Sequence, residues 1–150
     1  MRNSQGFWIA AGIMSLLAAP AAAADLVYQP GGVMAPPTDG AANVALKGER
    51  FQGVIMYRDK VAETELHLEG IDNIVVLDGD ANLIYGGDMK DSRMISEAEF
   101  RGSSLSGDTK SLEIHKDDII QIPAGMAQWI KPHAGGHIRY VVFRVPGRKD

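Results

Sequence analysis

A chain of 150 residues, 45% apolar and 23% charged, has the balance of a single globular domain and is neither disordered nor fibrous. Its 19 acidic residues outnumber 15 basic ones, giving a net charge of −4, and the basic residues are scattered singly, so no stripe exists to neutralise a run of phosphates and no nucleic-acid partner is expected. The absence of cysteine removes disulfides, thiolate metal sites, iron–sulfur clusters and cysteine nucleophiles together.

At the start of the chain, Arg2 precedes an apolar run from Phe7 to Ala18 and the small-residue tract Ala21-Ala22-Ala23-Ala24. This pattern predicts a secretory signal peptide over residues 1–24, because the apolar run falls short of the roughly 20 residues that a membrane span needs. Cleavage after Ala24 would release a chain starting at Asp25, periplasmic or secreted, with no membrane partner. Residues 25–45 then read as an arm: Pro30, Gly31, Gly32, Pro36, Pro37 and Gly40 forbid a long helix or a central strand. The arm either packs through Leu26, Val27, Tyr28, Val33 and Met34 or acts as a tether.

Over 46–150 the pattern becomes that of one β-domain. Short β-rich runs separated by turn residues cover Phe51 to Arg58, Val61 to Leu68, Asn73 to Leu77, Ala81 to Tyr85, Ser111 to His115, Ile119 to Ile122, Met126 to Lys131 and Ile138 to Val145. Near-regular spacing of this kind predicts an antiparallel sandwich or barrel, and eight runs fit a closed jelly roll. Asp78-Gly79 predicts a tight hairpin between the third and fourth runs, and Gly86-Gly87 the end of the fourth. The one short helix is predicted near Ser96 to Phe100, with Ser96 as cap.

Two segments sharpen this reading. The first is Glu65-Leu66-His67, then Asp72, then Gly79; the second runs from Asp117-Asp118 through Ile119-Ile120-Gln121-Ile122-Pro123-Ala124-Gly125 to Gln128-Trp129. In their spacing they resemble the two motifs of the cupin superfamily, most specifically over Ile119 to Gly125 with Gly79. The resemblance covers about Phe51 to Val145. It implies an all-β, double-stranded β-helix (jelly roll) with a metal ion in the interior of a cupin-like barrel, and a homodimer. The family's first motif has His-x-His, an acidic residue and a Gly; its second has Gly-Asp, an apolar pair, Ile-Pro-x-Gly and a final His. Here Glu65 stands at the first His, His67 at the second, Asp72 at the usual Glu and Gln128 at the last His, while Asp117 replaces the Gly before Asp118.

Residues i and i+2 of a strand share a face, so Glu65 and His67 project together. Alternation alone also admits the opposite arrangement, in which Glu63, Glu65 and His67 face solvent and Leu66 and Leu68 face the core. If the resemblance brings the neighbouring strands together, Asp72 and Gln128 complete a four-point cluster. Two carboxylates, an imidazole and an amide oxygen form a hard, oxygen-rich set that suits a divalent ion such as Mn or Fe, with Zn also admitted. Without a cation, two buried carboxylates would repel and raise one pKa, which is itself a way to make a general acid or base.

Three functions follow. The first is a metal-dependent enzyme of oxygenase, isomerase or lyase type acting on a small organic molecule, with His67 and Asp72 as ligands, Glu65 as ligand or base and Gln128 orienting the substrate. The second is a non-catalytic module that keeps the barrel to bind a small apolar or sugar-like molecule. The third is an assembly protein acting through its arm. His115, His133 and His137 read as surface residues; Tyr57, Tyr85, Trp129 and Tyr140 read as core or rim packing, with Trp129 pointing away from Gln128 and Met56 and Met126 as adaptable walls. Arg58 and Arg139 are candidates to pair an anionic ligand. Phosphate-loop, serine-elbow and zinc-helix motifs are absent from the sequence.

Overall fold

The structure, a computed structural model, describes Tyr28 and residues 42–48 and 51–147. The signal peptide expected over 1–24, and all of the expected arm before residue 42 except Tyr28, lie outside the described residues. Ten strands follow in chain order: β1 (Ala42–Lys47), β2 (Gln52–Arg58), β3 (Thr64–His67), β4 (Gly70–Lys90), β5 (Arg93–Ser96), β6 (Glu99–Gly102), β7 (Ser104–His115), β8 (Ile119–Ile122), β9 (Gln128–Pro132) and β10 (Ile138–Pro146). All pairings are antiparallel. No helix occurs among the described residues.

The strands form two sheets that share β4. Its first half lies between β10 and β8, with β2 and β1 continuing beyond β10. Its second half lies between β7 and β9, and β3, β6 and β5 continue beyond β9. The core sits between the two sheets: Ile74, Val76, Ile122, Ile138, Tyr140 and Val142 of the first meet Ala81, Leu83, Ile114 and Ile130 of the second. Burying such side chains fully contributes about 1.5–3 kcal/mol each, which makes the space between the sheets the main source of cohesion.

β4 explains why the expected hairpin at Asp78-Gly79 does not form. Its buried residues are Asp72, Ile74 and Val76 before Gly79, then Ala81 and Leu83 after it, so the inward phase changes from even to odd numbers. The ladder to β10 absorbs the change as a bulge, with Arg139 opposite Asp78 and Tyr140 opposite Val76, leaving Leu77 as the extra residue. Gly79 has φ of +76°, and a Cβ there would lie 2.0 Å from the His137 carbonyl oxygen. This glycine therefore lets one strand pass from sheet to sheet, a different use of the positive φ that a hairpin would also have required.

Nor do Gly86 and Gly87 end the strand. They form a second irregularity in the ladder to β7, after which β4 continues to Lys90 and holds Ser104 to Ser106 in register. As a result β7 begins at Ser104, earlier than the expected Ser111. Around the expected helix, β5 and β6 make a hairpin turning at Glu97 and Ala98. A five-residue segment gains too few intrahelical hydrogen bonds to offset the cost of starting a helix, and the second sheet offers an edge to pair with.

Candidate functional site

Period-two alternation aims side chains from six strands into the space between the sheets. β2 contributes Val54, Met56 and Arg58; β10 contributes Tyr140, Val142 and Arg144; Asp72 and Ile74 come from β4, Gln128 and Ile130 from β9, Glu65 from β3, and Glu99 with Arg101 from β6. Together they line a cavity of about 270 Å³, part hydrocarbon and part charged. A second, more open cavity of about 410 Å³ adjoins it, sharing Gln52, Glu99 and Arg144 and reaching His67.

All four residues singled out in the sequence lie at this interior. Asp72 is 2% exposed, Gln128 5% and His67 6%, whereas Leu68 is 45% exposed, so the polar face of β3 points inward. The adjacency that only the resemblance implied is direct, since Glu65 and Gln128 are register partners across β3 and β9. His67 Nδ1 lies 3.0 Å from Asp72 Oδ2, and Gln128 Nε2 donates to the same oxygen at 2.9 Å. Glu65 stands apart from these three, engaged with arginines.

Three guanidiniums answer the three interior carboxylates. Arg144 donates through Nε to Asp72 Oδ1 at 2.6 Å and through its terminal nitrogen to Oδ2 at 3.2 Å. Arg58 reaches Glu65 Oε1 at 2.6 Å while its Nε donates to the Tyr140 hydroxyl at 2.9 Å. Arg101 pairs with both Glu65 and Glu99. Burial raises the pKa of Asp72, but hydrogen bonds from His67 and Arg144 and the charge of Arg144 outweigh it and hold the carboxyl at about 2. For Arg58, burial lowers the pKa, and Tyr140 and Glu65 more than restore it. Burial pushes the Tyr140 phenol up, so it stays neutral at physiological pH.

An ionised Asp72 only accepts hydrogen bonds, which fixes the groups that face it. In the neutral imidazole the His67 proton therefore sits on Nδ1, leaving Nε2 as a lone pair, and Gln128 must present its NH2, leaving Oε1 turned away. Both leftover atoms are buried and without a hydrogen bond, Nε2 having Glu99 Oε1 at 3.9 Å.

The same commitments bear on a metal. A divalent ion needs carboxylate oxygens free to coordinate. Both oxygens of Asp72 carry donors, and the Oε1 of Glu65 takes two guanidiniums. Among the described residues no group of three or more His, Asp or Glu side chains is arranged to hold an ion. Glu65, His67, Asp72 and Gln128, as placed, do not fit Mn, Fe or Zn.

Of the arginines considered in the sequence, Arg58 enters the site and Arg139 does not. Arg101, Glu99 and Arg144 escaped the sequence reading. The signal for Arg144 was alternation along β10, where Ile138, Tyr140, Val142 and Arg144 fall on one face. Tyr140 lines the cavity, while Trp129 donates to the Ala62 carbonyl and stays out of it. His115 and His133 are exposed and His137 is half-buried against Tyr57, paired with Asp118, Glu113 and Asp78 in turn.

This architecture is a double-stranded β-helix, and the chain has the fold of the cupin superfamily. A protein from Klebsiella pneumoniae with a double-stranded β-helix domain matches with a TM-score of 0.55 at 14% identity, over 81% of this chain and 85% of that one. The polyketide cyclase RemF of Streptomyces resistomycificus matches with a TM-score of 0.51 at 17% identity, over 83% and 73%. The cupin domain of Cnp3 from Schizosaccharomyces pombe matches with a TM-score of 0.51 at 14% identity, over 70% and 63%. No protein-family model matches the sequence, nor does any curated protein. The resemblance read from the two motifs is borne out at the level of fold.

Proposed function

We propose that this is an exported cupin-fold protein that captures a small organic molecule inside its barrel. The carrying observation is the pair of buried acceptors, Gln128 Oε1 and His67 Nε2, to which no protein group donates a hydrogen bond. Leaving such an atom unpaired costs about 1–3 kcal/mol, and a ligand offering O–H or N–H groups removes that cost. The hydrocarbon of Val54, Met56, Ile74, Ile130 and Val142 suits the remainder of an amphipathic molecule. Arg58, Arg101 and Arg144 balance Glu65, Asp72 and Glu99, and the fourth lining carboxylate, half-exposed Glu63, is paired with Arg93, so the interior carries little net field, which favours an uncharged ligand.

Native mass spectrometry of gently purified protein, with thermal melts against extracts of the producing cells, tests this reading. The expected result is one bound organic species per chain, a raised melting temperature, and loss of both in Gln128→Leu. A protein that arrives empty, and that no extract fraction stabilises, overturns it.

One observation favours a second reading, in which the captured molecule is also transformed. Asp72 holds the His67 ring by Nδ1, the arrangement that fixes tautomer and orientation in a histidine base. His67 would then accept a proton at Nε2, while Glu65 anchors Arg58 and Arg101. Once the ligand is identified, hydrogen–deuterium exchange at its carbon atoms, monitored by NMR, tests this: His67→Gln is expected to retain binding and lose exchange. Export rests on Arg2, the apolar run from Phe7 to Ala18 and the alanines that follow; dimerisation rests on the family resemblance. Cell fractionation and light scattering test them.

A further inference from the structure

We propose that Arg144 is the fixed cation of this interior, and that while it is in place the barrel excludes divalent ions from Glu65, His67, Asp72 and Gln128. The inference rests on the reading that the barrel interior is the working site.

Two arrangements carry it. Arg144 and Asp72 are register partners across β10 and β4, so the guanidinium meets the carboxylate with two hydrogen bonds at 2.6 and 3.2 Å. Asp72 Oδ2 also receives His67 Nδ1 and Gln128 Nε2, which uses up the acceptor capacity that an ion would need. The position of Arg144 is built in by its neighbour Gly70: a Cβ at residue 70 would lie 2.7 Å from the Arg144 Cδ and 2.9 Å from its Cγ. A glycine there gives the arginine stem its path along the start of β4.

Charge points the same way. Arginine does not deprotonate in proteins, so no accessible pH removes the resident cation. With three guanidiniums already matched to Glu65, Asp72 and Glu99, and Glu63 paired with Arg93, an added divalent ion would leave positive charge uncompensated in the interior.

The test is an ion count. Purified protein is incubated separately with Mn²⁺ and Zn²⁺, desalted and measured by plasma mass spectrometry, with melts recorded with and without EDTA. Wild type is expected to hold no stoichiometric ion and to melt unchanged. Arg144→Met keeps the apolar stem and removes the charge; it is expected to gain an ion that EDTA strips, and to lose it again when combined with Asp72→Asn. Arg144→Lys, still cationic, is expected to remain empty. Gly70→Ala displaces the stem without altering any charge, and is expected to gain an ion in part; it decides the matter if Arg144→Met does not fold. A stoichiometric ion in wild type that His67→Ala abolishes overturns the proposal, as does a folded Arg144→Met that takes up none. Organic ligand is counted separately in the same samples, so a failure of small-molecule capture is distinguishable from a failure of this inference.

Discussion

Asp72 and Arg144 face each other across β4 and β10, one carboxylate almost wholly buried and one guanidinium on both of its oxygens. This pair organises the polar half of the barrel, because the ionised carboxylate in turn sets the orientation of His67 and Gln128. Acid should expose that dependence. The folded pKa of Asp72 is about 2 against an ordinary 3.8, so its contribution is complete above about pH 4 and is lost as pH falls from 4 toward 2. The difference corresponds to about 2 kcal/mol. Urea unfolding of wild type from pH 5 to pH 2 should show that decline, and Asp72→Asn should flatten it while losing about 3 kcal/mol at pH 7 by breaking a buried pair.

Two glutamates on neighbouring positions of one face should respond differently to the same change. Glu65 is enclosed and engaged by Arg58 and Arg101, whereas Glu63 pairs with Arg93 at the surface. Glu65→Gln should cost about 2–3 kcal/mol in chemical unfolding, since it leaves Arg58 short of its charge partner. Glu63→Gln should leave the melting temperature within experimental scatter.

Tyr140 contributes one hydroxyl in an otherwise apolar stretch of β10, and that hydroxyl accepts from Arg58 Nε at 2.9 Å. Tyr140→Phe should cost about 1–3 kcal/mol, because a buried donor loses its acceptor while the packing volume hardly changes. Equal stability of the two proteins in guanidinium unfolding would contradict this account of the pair.

Glycines with similar backbone angles should separate by what surrounds them. Gly79 and Gly125 have φ of +76° and +79°, but a Cβ at 79 would strike the His137 carbonyl and one at 125 would meet open space. Gly125→Ala should cost about 1 kcal/mol of backbone strain. Gly79→Ala adds a clash with main chain that cannot turn aside, so its loss should exceed that of Gly125→Ala by at least about 2 kcal/mol, read from urea midpoints.

An all-β fold class was legible from local spacing, and the central residues of the site from that spacing together with the resemblance of the two motifs. Glu65 and His67 share a face by strand geometry, and the Ile119 to Gly125 segment matches its motif without knowledge of any partner. Gly79 was misread because a positive φ serves a hairpin and a sheet-to-sheet bend alike; the distinguishing cue was the switch of buried residues from even to odd numbers along β4. β5 and β6 were missed because a strand that pairs at a sheet edge needs no strong apolar alternation of its own, and all four residues of β5 are exposed. The arginine partners escaped for another reason. Arg144 is distant in sequence from Asp72 and Arg101 from Glu65, and only the pairing of strands brings them together; Arg101 and Glu99 do share β6, but nothing local shows that their face turns inward.

Since β4 belongs to both sheets, the two leaves of the barrel are one piece of chain creased at Gly79, and they cannot slide or part along that crease without breaking backbone hydrogen bonds. Gln52, Glu99 and Arg144 line both the inner and the outer chamber, so a change at any of the three reshapes the two chambers together.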